Sequence, residues 1–261
     1  MDTSVIVGLG QLGGVFAHGL LRTGHRIVPI RRSESVDSIQ DEDPSLVLIA
    51  VGEGDLQNVL PQVPEAWRSR VGLIQNELLP GSWSALGDVN PTVAVVWFEK
   101  KAPIAPHVIR PTPIAGPNAL RLVNALASLN IAAEEIDESA LPAALVLKNV
   151  YILTANVGGR GAPKGATTGE LWTDDRERTQ RLAEDVLTLQ KAMLCASGHS
   201  KAAAALDDDA LMRELGETLM ADPHHGACGR SAPARHQRAL TLAHTHGLTL
   251  PALAEARVLE D

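Results

Sequence analysis

Apolar positions occur in two rhythms along this chain. Positions 4–7 form a short apolar run, Gln11–Thr23 repeats its apolar residues at helical spacing, and Arg26–Ile30 is apolar again. That succession predicts strand, helix and strand within about thirty residues, the unit from which parallel sheets are built. Further runs at Leu46–Val51, Val71–Gln75, Val93–Phe98 and Val108–Ala115 read as buried strands, with helices predicted at Asp55–Pro61 and Asn118–Leu129. Strands that are apolar on both faces belong to a mostly parallel sheet covered on both sides.

After Ile131–Ile136 the rhythm changes. β-Branched runs give way to Ala, Leu, Arg and Glu at helical spacing, predicting helices at Ser139–Val157, Glu177–Ser197, Ala203–Asp222, Ala232–Thr245 and Pro251–Leu259. Gly158–Gly169, which holds Gly, Pro and Lys, reads as an exposed loop. The expected organisation is therefore α/β: a Rossmann-type dinucleotide-binding domain over residues 1–137, and an all-helical domain over 138–261.

Composition narrows the function classes. The chain has 261 residues, 45% of them hydrophobic and 21% charged, the balance of a globular protein with a sizeable core. Its net charge of −8 leaves neither half basic, which argues against nucleic acid or an anionic membrane as partner. No uninterrupted apolar run reaches the ~18 residues of a membrane span. Cys195 and Cys228 form no disulfide framework, so a cytoplasmic location is expected.

The first turn carries the sharpest chemistry. Gly8-Leu9-Gly10-Gln11-Leu12-Gly13 is G-x-G-x-x-G, placed directly after a strand and before a helix. Gly8 permits the tight turn, Gly10 clears the approach of a pyrophosphate, and Gly13 lets helix and strand come close. The helix start offers unpaired N–H groups and a positive dipole end to phosphate. Val51 and Gly52, ending the third strand, complete the expected cofactor lining. Where an NAD site would place an acid after the second strand, this chain reads Arg31-Arg32-Ser33, donors suited to a 2′-phosphate. NADP is the expected cofactor.

With the helical half included, the sequence resembles the ketopantoate reductase family, within the 6-phosphogluconate dehydrogenase-like group. The resemblance rests on the glycine turn, Gln75-Asn76, Lys148, Gly169-Glu170-Leu171, Gly229-Arg230, and His246-Gly247 followed by Pro251. It implies that the first domain holds NADPH, that the helical domain closes a cleft, and that a lysine protonates a 2-oxo acid as hydride arrives. It assigns that lysine to Lys148, a strand-end asparagine to Asn76 and a substrate-binding asparagine to Asn156. Asn149 is an alternative for the asparagine role, and Arg230 with Ser231 is expected to hold a carboxylate or hydroxyl. A homodimer is the expectation by analogy.

The chain also departs from the family. Its first asparagine after the lysine falls on Ile152, its glutamate after the Gly-Arg pair falls around Ser231–Pro233, and its glycine after Asn76 is Glu77. The expected substrate is therefore a small 2-oxo acid or related carbonyl other than ketopantoate. An imine- or 3-hydroxyacid-type dehydrogenase and an NADPH-binding sensor without catalysis fit the same residues.

A partly buried lysine suits proton donation because burial lowers the cost of giving the proton up. Lys148 stands among Leu145, Val146, Leu147, Val150, Ile152 and Leu153, so it is expected to emerge at a cleft or a helix end. Ser231 also suits a helix N-cap, with Pro233 two residues on. Tyr151 lies one helical turn from Lys148 and reads as packing. His224, His225, Cys228 and His236 fit no zinc spacing, so no metal is expected.

Overall fold

In the computed structural model, which describes residues 2–32, 34, 36–39, 42–100 and 105–256, the chain divides into two compact units. The first comprises residues 1–78 and 82–144, the second residues 79–81 and 145–261.

The first unit holds the strands β1 (Thr3–Val7), β2 (Arg26–Ile30), β3 (Leu46–Ile49), β4 (Val71–Leu73), β5 (Thr92–Ala94), β6 (Phe98–Glu99), β7 (His107–Val108), β8 (Thr112–Ala115) and β9 (Ala133–Glu135). Its helices are α1 (Gln11–Arg22), α2 (Leu56–Val59) and α3 (Ala119–Ala127). Seven strands form one sheet in the order β2-β1-β3-β4-β5-β8-β9, parallel except where β8 runs against β5. Pro29 is accommodated because β2 is an edge strand, where a missing N–H costs no ladder bond. All four residues of β3 are buried, as the middle of a covered parallel sheet requires.

Helices α1 and α3 cover one face. Phe16, Leu20, Leu122 and Leu126 are completely buried against Ile6, Leu48 and Ile114 of the sheet. The expected strand Val93–Phe98 is two elements instead. β5 ends at Ala94, and Phe98–Glu99 turns away to pair with His107–Val108 in a separate antiparallel hairpin. Thr112 Oγ1 accepts the Trp97 N–H at 3.1 Å and Pro113 O the Val95 N–H at 2.9 Å, so these two donors stay satisfied where the chain leaves the sheet.

The second unit contains α4 (Leu141–Gly158, of which residues 145 onward belong to it), α5 (Thr168–Thr173), α6 (Arg176–Ala196), α7 (Ser200–Ala204), α8 (Asp208–Ala221), α9 (Ala232–Thr245) and α10 (Pro251–Glu255). α4 is apolar on nearly all sides, which is why it forms a core: the stretch Glu138–Gly161 is long and apolar enough to cross a membrane, and 67% of its most apolar window is buried inside the protein.

Two sequence expectations fail in this unit. The helix expected over Ala203–Asp222 is broken after Ala204, and α8 starts afresh because Asp207 caps it by accepting the Ala210 N–H at 2.9 Å. The expected loop Gly158–Gly169 is interrupted by a 3-10 turn at Gly159–Gly161 and ends in α5. A capping box starts α5, with Thr167 and Glu170 each satisfying the other's backbone N–H.

Candidate functional site

The glycine turn lies at the carboxyl end of β1, where the strand order reverses between β2 and β3 and an open sheet leaves a crevice. Gly8 has φ +94°, and its N–H donates to Ile30 O at 2.9 Å, tying the turn to β2. A Cβ on Gly13 would stand 2.1 Å from Gly8 O, so only glycine lets α1 start this close to β1. In front of Gly10 a Cβ would meet nothing within 4 Å, leaving the backbone open to an approaching phosphate. Gln11 and Leu12 form the first turn of α1, which contains no acidic residue and no side-chain cap. Its N–H groups and dipole remain available to an anion.

A cleft of about 690 Å³ opens beside this turn. Gly8, Gly10, Arg31, Arg32, Val51 and Gly52 are among its lining residues, along with Glu34 and Asp55. Ser33 lies outside the described residues. Arg32 meets Asp55 at 3.3 Å in a solvent-exposed pair, and the Arg31 N–H donates to Glu34 Oε2 at 2.7 Å. Exposed pairs of this kind contribute about 0–1 kcal/mol, so a phosphate dianion can take Arg32 over from Asp55 at little cost.

One strand further on, Gln75 is buried and its amide ties β4 to β3, donating to Ile49 O at 2.7 Å. Asn76 Nδ2 donates to Glu53 Oε1 at 3.1 Å, which engages one N–H of the amide. Glu77 follows with φ +61°, a left-handed conformation in which glycine is the unstrained residue. Glutamate there carries strain of about 1 kcal/mol. Glu77→Gly is therefore expected to raise stability by about 0.5 kcal/mol after the added chain entropy of glycine, read as a higher urea midpoint at unchanged slope. A lower midpoint would mean that the contacts of the Glu77 side chain outweigh the strain.

Within the helical unit, Lys148, Ile152 and Asn156 form one i, i+4, i+8 ridge of α4. Lys148 sits neither at a helix end nor on the surface. It is 7% exposed in the middle of α4, with Nζ lying 5.5 Å from the centre of the Tyr151 ring. The cause is the near-uniform apolarity of α4, which draws every side of that turn inward. Tyr151 is also buried, packed as the sequence suggests. Asn149, 2% exposed, donates to Gln190 Oε1 at 2.8 Å and so ties α4 to α6.

Asn156 is half-buried, and its Oδ1 accepts from Arg235 Nη1 at 3.2 Å. Arg235 is 8% exposed, a buried cation that periodicity alone assigned to an ordinary amphipathic helix. Gly229 comes close to the same amide, while Arg230 is exposed. Ser231 occupies the N-cap position of α9, but its side chain makes no capping bond there. Among the histidines, His224 is exposed and His225 lies 3.5 Å from Asp222. His236 Nε2 donates to Leu253 O at 2.7 Å, so Nδ1 is the acceptor for Arg160 at 2.8 Å; both ring nitrogens are engaged. Among the described residues no three His, Cys, Asp or Glu side chains converge as a metal site.

Solved structures with this architecture cover almost the whole chain. A 2-dehydropantoate 2-reductase from Methylococcus capsulatus is 14% identical, with a TM-score of 0.67 over 98% of this chain and 94% of its own. A ketopantoate reductase from Ralstonia eutropha JMP134 is 18% identical, with a TM-score of 0.64 over 97% and 95%. The fold is that of these reductases. D-Mandelate dehydrogenase, solved in complex with NADH, has it too, at 12% identity and a TM-score of 0.66 over 97% and 96% of the two chains. No protein-family model and no curated sequence matches the chain. The resemblance read from the sequence thus extends to the fold from end to end.

Proposed function

We propose that the protein is an NADP(H)-dependent oxidoreductase that reduces a small 2-oxo acid or related carbonyl. The observation that carries this reading is the cleft at the reversal of strand order, with an uncapped helix start on one side and two arginines on the other. Its residues fit a dinucleotide: Gly10 leaves space at the phosphates, α1 supplies N–H donors, and Arg31 and Arg32 supply cationic donors. The two structural neighbours named as reductases act on 2-oxo acids by their names, and a third as a dehydrogenase of mandelate, a 2-hydroxy acid.

A bound nicotinamide supplies hydride when reduced, and becomes oxidised. The chain's own part is to hold the carbonyl and balance its charge. As hydride adds to the carbonyl carbon, the C=O π pair moves onto oxygen, and Lys148 Nζ delivers the proton that converts the alkoxide to a hydroxyl. The neutral amine left behind is reprotonated from water. Asn76, with its amide nitrogen engaged by Glu53, presents an oxygen acceptor suited to a ribose hydroxyl or carboxamide N–H. Asn156 presents the opposite end of its amide, a donor suited to substrate oxygen. Pairing of two copies through the helical unit belongs to the same proposal; one ketopantoate reductase with this fold, from Staphylococcus aureus, is described as dimeric.

The cofactor choice is directly measurable. Glu34 and Asp55 are acids of the kind that serve an NAD ribose, but both already accept from the Arg31 backbone and the Arg32 side chain. NADPH is expected to bind about 10- to 100-fold tighter than NADH, the worth of a charge-assisted phosphate contact. Arg31→Asp combined with Arg32→Ala is expected to erase or reverse that ratio in fluorescence titrations. Equal affinity of the native protein for both cofactors would defeat the preference.

A further inference from the structure

A second hollow, of about 420 Å³, lies wholly within the helical unit, between α5, the start of α6 and the outer side of α8. Its floor is the half-buried indole of Trp172. A Cβ on Gly216 would stand 2.3 Å from that ring, so glycine is what lets α5 lay the indole against α8. Arg176 stacks over the same ring, 5.0 Å from its centre. Met212 and Met220 border the hollow at the two ends of the stretch of α8 that lines it.

The outer side of α8 departs from what an amphipathic helix needs. Leu211, Leu215 and Leu219 are buried on its inner side, yet Met220 is 41% exposed on the other, where polar residues are the rule. Arg213 and Glu217 stand on that outer side one turn apart, and both are exposed. Among the described residues neither makes a hydrogen bond or an ion pair. Arg before Glu is the poorer order for pairing along a single helix, so these charges contribute little within one copy.

A cation and an anion one turn apart match themselves under a two-fold axis. With two α8 helices antiparallel and the axis level with Leu215, each Arg213 lies opposite Glu217 of the partner subunit, and the two apolar hollows close over each other. An isologous contact requires such a self-complementary surface, and Trp, Met and Arg are the residue types enriched where subunits meet. A strongly acidic or basic partner would call for a patch of one sign, whereas this one carries both. Resting on the pairing of copies proposed above, we propose that the hollow between α5 and α8 is the surface through which two copies of this chain associate, with Arg213 and Glu217 fixing the antiparallel register of α8.

The test reads association of the full chain by sedimentation velocity over a concentration series, in which the native chain is expected to be a dimer. Arg213→Glu makes both positions acidic and Glu217→Arg makes both basic, so each variant alone meets its own sign across the axis. The dissociation constant is expected to rise at least about tenfold in each. Both side chains are exposed, so each subunit keeps its fold. Mixed in equal amounts, the two variants are expected to form a heterodimer of nearly native affinity, because both contacts across the axis then join opposite charges. An effect confined to one helix cannot produce that rescue between chains.

A native chain that stays monomeric at every concentration overturns both the surface and the pairing of copies, and leaves the hollow to another occupant. A native dimer that both single variants keep overturns the surface alone, as does a mixture that stays monomeric while the native chain pairs. Hydride transfer is read separately, by NADPH oxidation with a 2-oxo acid, so loss of the surface and loss of the reductase reading are distinct results.

Discussion

Lys148→Met is expected to lower kcat by about 10²- to 10⁴-fold, the usual contribution of a positioned general acid, while NADPH affinity is unchanged and the melting temperature does not fall. The stability half of this expectation follows from the site. Lys148 is 7% exposed, and its ammonium lies over the Tyr151 ring, a contact of about 0.5–2 kcal/mol, while holding a charge at that depth is itself costly. Methionine has similar length, packs against the same ring and needs no solvation. A structural lysine would show the reverse pattern, with lower stability and intact turnover. If neither quantity moves in a protein that binds NADPH, the non-catalytic sensor becomes the better account.

Gly13→Ala is expected to destabilise the first unit by about 3 kcal/mol, at the upper end of the cost of overpacking, and to weaken cofactor binding more than tenfold. The added methyl would lie 2.1 Å from Gly8 O and 3.0 Å from Ala50 Cβ, so α1 must move off the end of β1. That movement breaks the alignment of the helix start with the phosphates. Gly10→Ala is the informative contrast. Its methyl meets no protein atom within 4 Å, so stability should hold while affinity falls. Thermal melts with and without NADPH separate the two cases. Equal stability of both variants would mean that the turn is looser than its geometry implies.

How much of this was legible beforehand depends on whether the information is local. The β1-α1-β2 unit was, because apolar runs, helical spacing and three glycines are all contained within thirty residues. α4 was legible as a helix but not as a largely buried one, since periodicity places Lys148 on a face without saying how much of that face is covered. α5 went unseen although Thr167-Thr168-Gly169-Glu170 spells a capping box, because a six-residue helix leaves no periodic trace. The break before α8 was hidden by an alanine run, while Asp207-Asp208-Asp209 was its available signal.

The partners of the candidate site residues were not legible at all. Glu53 reaches Asn76 across 23 positions, Gln190 reaches Asn149 across 41 and Arg235 reaches Asn156 across 79. These contacts arise from folding over long sequence distances, and a single sequence carries no pattern for them. They are also the contacts that set which end of each amide is engaged within the protein, so the orientation of these side chains was the part that required the structure.

The tryptophans are divided unevenly between the two units. Trp67, Trp83 and Trp97 belong to the first, whereas the second has Trp172, whose indole lies so close over Gly216 that a Cβ there would come within 2.3 Å of the ring, with Arg176 stacked 5.0 Å away. The helical unit thus carries a single tryptophan, in a socket that vanishes when α5 and α8 separate. With the other three replaced by phenylalanine, its emission would follow the melting of that unit alone, and whether the two halves unfold together becomes a question for a fluorimeter.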